Sequence, residues 1–433
     1  MRINVIICIF LLAIPLIAVQ AQQKLSQDEA VSIALKNNYD ILVARNASDI
    51  AKINNTAGNA GMLPNVAVTT SENYSMSNVY QIYTNVPEIK SPDGHANSLS
   101  TSAALTWTLF DGGKMFVTKT KLNQIQALGE IQFKDQVLQT VYNVIVAYYE
   151  VVREKQQLTS IEEVIKSNQT MVNILQTSFT AGLSPKTNLL QSQIDLNVFM
   201  ENAINQKAVI IAAKRVLNQL LSRDPETPFE VADSIPVNYV PDREELNRKL
   251  FSANTTVLIL QKQLEIAALS LKETKTLQLP ILSFNTGYSY FLSNNTASSL
   301  EKNQSFGPQF GGTLSIPIYQ AGNAARQIKT SRIEMQSAQY DLESARLQVN
   351  STLQNSLTVF DNQLQLLEIE KKNADLAKEN LNITMERLRL GQTTSVELHQ
   401  AQESYVNSLT RLIDFEYYLK VSETKLKQLL SEL

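Results

Sequence analysis

The residue types that most often perform chemistry are scarce in this chain and lie far apart in its sequence. Its 433 residues include two histidines, His95 and His399, and one cysteine, Cys8. A zinc site needs three or four protein ligands, usually His or Cys. Two distant histidines do not supply such a set, and no constellation of nucleophile, base and acid appears. We therefore predict no metal site, no cofactor and no enzymatic activity.

One glycine-rich segment, residues 110–113 (FDGG), resembles a phosphate loop only superficially. It lacks the glycine and Lys-Ser/Thr spacing of that motif. A related segment, YQAG, occurs at residues 319–322. We interpret Gly113 and Gly322 as strand-to-helix corners, where glycine permits backbone angles that other residues resist.

Charge and composition argue against a nucleic-acid partner. The formal net charge is −3, charged residues make up 18% of the chain, and no cluster of Lys and Arg stands out. Glycine is sparse, with 13 in 433 residues, whereas Gln, Asn, Leu and Ser are abundant. This composition favours an elongated helical protein.

Residues 1–21 predict a secretory signal peptide. Arg2 gives the positive end, residues 5–19 are almost wholly apolar, and Val19 and Ala21 offer the small residues of a cleavage site. A membrane anchor is the alternative, although the apolar run is short for a span of about 20 residues. Because Cys8 lies within the signal, the exported chain would contain no cysteine and no disulfide. Export without disulfides fits a large bacterial envelope protein.

The elements that must position any site come from an internal duplication. Phe110 and Tyr319 lie 209 positions apart, as do Gly182 and Gly391. A unit repeated in this way usually buries its apolar face against its own copy. The first repeat, 22–222, is predicted to contain a helix at 24–62, strands at 64–77 and 99–110, and a helical hairpin at 114–222 that turns near 182. A proline-rich connector follows at 223–241. The second repeat, 242–433, is predicted to contain a helix at 242–278, strands at 280–292 and 306–318, and a hairpin at 322–431 that turns near 391.

The strand segments alternate with period two, and residues 78–98 are predicted to be a surface loop that carries His95. Each segment is close to the length of a transmembrane β-strand, roughly 9–11 residues, and has one apolar face and one small polar face. A soluble sandwich is the alternative, but its polar face would often carry Lys or Glu. Four strands cannot close a barrel, and an open edge in lipid leaves backbone groups unpaired. If these are membrane strands, the barrel must be shared between subunits.

The helical tracts are too long for a globular core. Residues 114–181 and 323–390 contain no proline, and nearly 70 helical residues reach about 100 Å at ~1.5 Å per residue. Coiled-coil packing is the expected solution. The second tract carries two offset heptad series, Leu367, Ala374, Leu381, Leu388 and Ile369, Leu376, Ile383, Leu390. Two seams indicate a neighbour on each side, as in the wall of a helical tube, and a multi-helix bundle remains the alternative.

Each helical tract is interrupted once, by a glycine and short polar residues. The interruptions read AGLSPKTNLLQSQ from residue 181 and LGQTTSVELHQAQ from residue 390. Gly182 and Gly391 suit a left-handed helix end, and Pro185 suits the first turn of the next helix. A plain hairpin turn is sufficient for folding. The functional interpretation is that both turns lie at the far end of the tube, where a partner or a gate would act, and that His399 is a helix-surface residue.

The duplicated order of helix, Leu-Pro, two strands, aromatic-x-x-Gly corner and long hairpin, together with the two turn motifs, resembles the TolC family of outer-membrane efflux proteins. The resemblance implies a mainly α fold with a β-barrel portion. In such a fold a homotrimer forms a periplasmic α-barrel and a shared 12-stranded transmembrane β-barrel in outer-membrane lipid. It further implies a periplasmic adaptor and an inner-membrane transporter as partners. On this basis the adaptor would contact the turn residues Gly182, Leu183, Ser184, Gly391, Gln392 and Thr393.

The resemblance also implies a periplasmic gate after the second turn. Some family members carry acidic residues six and nine positions after the turn glycine, which are Glu397 and Gln400 here. The basic residue that some members place two positions after that glycine is Thr393. Three Glu397 carboxylates could form a ring that disfavours anions, or Glu397 could simply be solvated.

We therefore expect a passive export duct of the bacterial outer membrane, opened by an adaptor and an inner-membrane pump. A structural envelope tether or trimeric adhesin with a coiled-coil stalk is the alternative, although a stalk needs no hairpin turn. The sequence leaves the cargo open among drugs, metals and proteins.

Overall fold

The computed structural model describes residues 24–433 except residues 83, 86 and 299 and the side chain of Ile89. The expected signal peptide at 1–21 lies outside these residues. The described chain forms two compact units. The first comprises residues 24–38, Thr140–Val240 and Leu357–Lys425, and the second comprises Tyr39–Gln139, Pro241–Ser356 and Leu426–Leu433.

The structure is mainly helical, with four strands. In chain order the elements are α1 (Gln27–Asn37), α2 (Tyr39–Asn54), β1 (Asn65–Gln81), β2 (Ile89–Phe110), α3 (Lys114–Thr180), α4 (Lys186–Leu220), α5 (Arg243–Ala253), α6 (Thr255–Lys275), a 3-10 turn (Thr276–Gln278), β3 (Ile281–Asn295), β4 (Lys302–Ser315), α7 (Asn323–Arg389) and α8 (Ser395–Leu429). Within the described ranges, no helix combines the length and apolar character that crossing a membrane requires.

The first helix of each repeat is broken at an asparagine, where we had predicted one continuous helix. Asn38 and Asn254 both have extended backbones, with ψ of 125° and 119°. The Asn38 side-chain amide donates to Leu220 O at 2.9 Å. The Asn254 side chain donates to Leu429 O at 3.1 Å and accepts from Val257 N at 3.2 Å. Each asparagine therefore exchanges helical hydrogen bonds for tertiary ones, as its short amide allows.

The strands form one antiparallel sheet in the order β1-β2-β3-β4. Val66 lies opposite Leu105, and Leu105 lies opposite Thr286. Because directly paired residues project from the same face, the register separates two faces across all four strands. The apolar face contains Val66, Val68, Leu105, Trp107, Phe284, Tyr288, Tyr290, Leu292, Phe306 and Phe310.

The opposite face, which we call the small-residue face, carries short polar side chains and glycines. Its paired rows include Asn65–Thr106–Asn285–Gly311, Ala67–Ala104–Gly287–Gln309 and Thr69–Ser102–Ser289–Gly307. On the apolar face, Leu282 and Leu292 are ten residues apart in β3. That separation is ~33 Å along the strand, or about 25 Å of height at a tilt near 40°, the height of a lipid-facing band.

The strands extend further than predicted into the segment assigned as a loop. β1 reaches Gln81 and β2 begins at Ile89, so most of residues 78–98 are paired backbone. A register shift between Ser77 and Val79 lets the ladder continue past the irregularity. His95 consequently lies in β2, where its ring is 2.9 Å from the Tyr74 hydroxyl. Its assignment to a loop was wrong because alternation is weak where both faces are polar.

All four long helices contribute to one apolar cluster in the first unit. The cluster consists of Val164, Met171, Leu175, Leu189, Phe199, Leu381, Leu398, Ala401 and Tyr405. Asn168, which lies in α3 between the cluster residues Val164 and Met171, is completely buried. Its side-chain nitrogen donates to Val164 O at 3.0 Å, so the helix itself satisfies that donor.

The two heptad series of α7 differ in the exposure of their side chains. Leu367, Ala374 and Leu381 are buried, with exposed fractions of 1–6%. The second series, Ile369, Leu376, Ile383 and Leu390, is 53–70% exposed, and we call it the α7 seam. One seam is therefore used within the chain, and the other presents apolar side chains on the surface of a single subunit.

Candidate functional site: the two hairpin turns

Both hairpin turns belong to the first unit and close their helices with the same hydrogen bonds. Gly182 N donates to Phe179 O at 3.0 Å, and Leu183 N donates to Ser178 O at 2.8 Å. In the second turn Gly391 N donates to Leu388 O at 3.0 Å, and Gln392 N donates to Arg387 O at 2.8 Å. This pair of bonds is the Schellman closure of a helix.

The closure requires a left-handed residue, and glycine supplies it in both repeats. Gly182 has φ of 73° and Gly391 has φ of 68°, a region that costs a side-chain-bearing residue about 1–2 kcal/mol. Leu183 follows the first glycine and is 83% exposed. Leu183 thus exposes an apolar side chain directly after the first turn glycine, whereas the polar Gln392 follows the second. Leu390, directly before Gly391, is 70% exposed.

Glu397, the candidate gate residue, is held within its own chain. Its carboxylate accepts a hydrogen bond from the Thr393 hydroxyl. The Arg387 guanidinium lies 3.8 Å from the same carboxylate and also donates to Gln392 O at 3.1 Å. A basic partner therefore comes from the end of α7, while Thr393 occupies the position that is basic in some family members. Gln400 is exposed one turn further along α8.

Arg387 was missed by sequence reasoning. It precedes Gly391 by four residues and Glu397 by ten, so no helical spacing relates the two charges. The available signal was its place in the last turn of a helix, where basic side chains reach the free carbonyls. Only the closed turn geometry brings Arg387 back to Glu397.

A hydrogen bond between Ser395 and Asn188 joins the hairpins just behind the turns. The Ser395 hydroxyl lies 3.3 Å from Asn188 Oδ1, and the Asn188 amide donates to Ser184 Oγ at 3.3 Å. Further along, His399 Nδ1 lies 3.3 Å from a carboxylate oxygen of Asp195, whose side chain is only 7% exposed. His399 is thus more than the helix-surface residue we expected, because it links α8 to a buried carboxylate of α4.

A buried ionic contact joins α7 to α8 within the same unit. The Glu370 carboxylate is almost completely buried and accepts hydrogen bonds from Ser408 at 2.7 Å and Arg411 at 2.9 Å. Burial alone would raise the pKa of Glu370, but these bonds lower it below its ordinary value. The second hairpin is thereby fixed as a unit from which the turn projects.

The strand-to-helix corners lie in the second unit and use two left-handed residues each. Gly112 and Gly113 have φ of 73° and 82°, whereas the matching pair, Ala321 and Gly322, has φ of 49° and 75°. A Cβ at Gly112 would lie 2.6 Å from Leu279 Cβ. The first corner therefore excludes a side chain that the second corner accommodates.

The difference between the two corners predicts opposite effects of substitution on stability. We expect Ala321→Gly to raise the free energy of unfolding by about 0.5–1 kcal/mol, since it relieves a left-handed alanine at some entropic cost. Gly112→Ala should lower it by about 2 kcal/mol or more, because strain and the contact with Leu279 add. Denaturant unfolding of the purified protein measures both values. Equal effects at the two positions would contradict this account.

Comparison with known proteins agrees with this architecture. The sequence profile of the family described as outer membrane efflux protein matches residues 30–223 and 261–432. The alkaline protease secretion protein AprF of Pseudomonas aeruginosa is 24% identical over 316 residues, which cover 70% of this chain and 63% of AprF. The match thus spans less than two thirds of that relative.

Solved structures show the same fold. CusC superposes with a TM-score of 0.76 at 17% identity, covering 93% of this chain and 91% of CusC. The CmeC outer membrane channel of Campylobacter jejuni superposes with a TM-score of 0.74 at 16% identity, covering 94% of this chain and 85% of CmeC. Duplicated hairpins, a four-stranded sheet and the profile match over most of its length together show that the chain belongs to the outer membrane efflux protein family, whose members are transport channels of the outer membrane.

Proposed function

We propose that this chain forms the homotrimeric outer-membrane channel of a tripartite efflux or secretion system and exports cargo passively. The observation that carries the proposal is the sheet. β1 and β4 lie at its edges, and one face is an apolar band. A sheet in lipid must have no free edge, so β1 of one copy pairs with β4 of the next. Three copies then close a 12-stranded barrel with the small-residue face toward its lumen.

The helices support the same stoichiometry. The α7 seam is exposed in a single chain, and α4 carries its own exposed apolar residues, Leu190, Ile194, Val198 and Ile204. An exposed apolar face on a long helix packs favourably against another helix. Pairing of the α7 seam with the α4 face of a neighbouring copy covers both and continues around the threefold axis as a helical tube.

We assign the hairpin turns to the periplasmic adaptor, which couples the channel to an inner-membrane transporter. Leu183 would be the apolar anchor of the contact, flanked by Gly182 and Ser184. In the second turn Gly391, Gln392 and Thr393 offer polar contacts. An exposed leucine beside backbone that is fixed by a Schellman closure is suited to docking, because little ordering entropy is lost on binding.

We place the periplasmic gate at Glu397 and Gln400. In the resting trimer Arg387 compensates Glu397 in each subunit, so the ring has close to zero net charge rather than a charge of −3. The gate of this protein would therefore exclude ions by its width more than by its charge. Removing the Arg387 side chain would therefore leave the three Glu397 carboxylates of the ring without a positive partner.

The cargo class follows from the transporter to which the channel is coupled. AprF is a protease secretion protein, so a polypeptide is a candidate cargo beside drugs and metal ions. Deleting the gene distinguishes these cases. Sensitivity to a drug or metal indicates efflux, and loss of a protein from the culture medium indicates secretion.

The test of the proposed function combines this deletion with the mass of the purified full-length protein. We expect a trimer in mild detergent and a transport defect that the intact gene restores. A tether or adhesin would give a trimer without any transport defect. A monomer in detergent would refute the shared barrel.

A further inference from the structure

Phe291 is a large apolar residue that lies on the small-residue face of the sheet. Phe291 is directly paired with Ser100, and Ser100 is paired with Ser71. Its other neighbour across the ladder is Ser305. All four residues lie on the small-residue face, so the aromatic ring stands in a row of serines. In the described strands, Ile281 at the first position of β3 and Val79 beyond the register shift of β1 are large aliphatic residues with the same orientation.

Phe291 lies four residues before the end of β3 that is remote from the helices, whereas β1 and β2 continue about ten residues beyond its row. β2 runs ten residues from Ser100 to Phe110, where α3 follows, which is ~34 Å of strand. The turn after β3 packs on the same face. Ala297 is buried against Gly94, where a Cβ would come 2.4 Å from the Cβ of Ala297. Phe291 and the turn after β3 therefore both occupy space on the small-residue face of the sheet.

We propose that Phe291 of each subunit projects into the barrel lumen and that the three rings form an aromatic constriction at the outer edge of the lipid-facing band, beside Leu292, which sets the largest cargo that passes. This inference rests on the proposed trimeric channel. A 12-stranded barrel with strands ~4.8 Å apart and tilted by about 40° is about 24 Å across between backbones. Three inward phenylalanines narrow such a lumen to about 9 Å, whereas serines leave about 16 Å.

The constriction acts by size and by its apolar character. Polar rows on either side of Phe291, such as Thr69–Ser102–Ser289–Gly307, keep water in the lumen, and the aromatic ring interrupts that lining at one level. Apolar constrictions resist the passage of ions because water leaves them readily. Cargo with aromatic or aliphatic groups would instead gain contact with the rings. Phe291 is thus the specificity-determining residue at the outer edge of the lipid-facing band.

The orientation is tested with single cysteines in the full chain, in which Cys8 is the only native cysteine. Phe291→Cys and Leu292→Cys are adjacent changes on opposite faces. A membrane-impermeant maleimide added to intact cells should label Phe291→Cys at least about tenfold faster, because only the lumen is aqueous. Faster labelling of Leu292→Cys would overturn the orientation.

The constriction itself is tested with Asn285→Cys, on the same face of β3 and six residues closer to the helices. We expect a small maleimide added outside to label Asn285→Cys readily. A polymer-linked maleimide about 12–15 Å wide should label it at least about tenfold faster when Phe291→Ser is also present than when Phe291 is retained. Leu292→Ser is the matched control and should leave both rates unchanged.

The outcomes separate this inference from the proposed function. If the polymer reagent labels Asn285→Cys equally with Phe291 or Ser at position 291, the lumen exists but the constriction does not, and the inference is refuted. If the small reagent fails to reach Asn285→Cys even with Phe291→Ser, the barrel has no aqueous lumen, and the proposed channel is refuted with it.

Discussion

Leu376→Glu is expected to convert the trimer into monomers. Leu376 lies in the middle of the α7 seam and is 64% exposed in one chain, so the proposed neighbour would cover it. Burying an unpaired carboxylate costs several kcal/mol, and a closed trimer repeats that cost three times. At 1.4 kcal/mol per tenfold change, association should weaken by at least about a thousandfold. Light scattering of the detergent-solubilised protein measures the change.

The matched control is Asn382→Glu. Asn382 is exposed on α7, and helical periodicity places it away from both heptad series. The same charge should therefore leave the trimer intact there. If Leu376→Glu remained trimeric, or if both variants dissociated alike, the α7 seam would not be the contact between subunits.

The features that repetition makes visible were predictable from sequence. Gly182 and Gly391 recur at one spacing, and the structure gives both the same closure. The alternation of residues 64–77 and 99–110 indicated strands, because a sheet with two chemically different faces has period two. The two heptad series of α7 likewise predicted two apolar faces, and the structure buries one of them and leaves the other exposed. Each of these signals is local, repeated and tied to burial.

The features missed depend on tertiary contacts that have no fixed spacing. Asn38 and Asn254 break helices because each finds a distant carbonyl acceptor, and nothing in the neighbouring sequence records that acceptor. Arg387 reaches Glu397 only around a closed turn. Phe291 departs from the period-two pattern of β3, and its pairing with Ser100 places it on the small-residue face. Strand register and turn closure therefore determine contacts that the periodicity of the sequence does not indicate.

Arg387→Ala is expected to make the channel strongly cation-selective. In the wild-type chain the Arg387 guanidinium lies 3.8 Å from the Glu397 carboxylate. Removing it leaves one uncompensated negative charge per subunit, or three in the proposed ring. One such charge attracts a monovalent cation by about 1 kcal/mol at ~15 Å and an effective dielectric constant of ~20. The potassium-to-chloride permeability ratio, from the zero-current potential in planar bilayers, should rise at least about fivefold.

Three further variants test whether the pairing of Arg387 with Glu397 determines the ion selectivity. Arg387→Lys keeps the positive charge and should keep the selectivity close to wild type, and Arg387→Ala with Glu397→Gln should restore it. Glu397→Gln alone leaves three guanidinium groups without a carboxylate and should shift selectivity toward anions. Both residues are about half exposed, so their pairing contributes little to stability, and thermal unfolding should change little in all of these variants. The effect should also weaken at high salt, where charges are screened within a few ångströms. A permeability ratio that did not respond to Arg387→Ala would show that the Glu397 side chains do not face the conduction path.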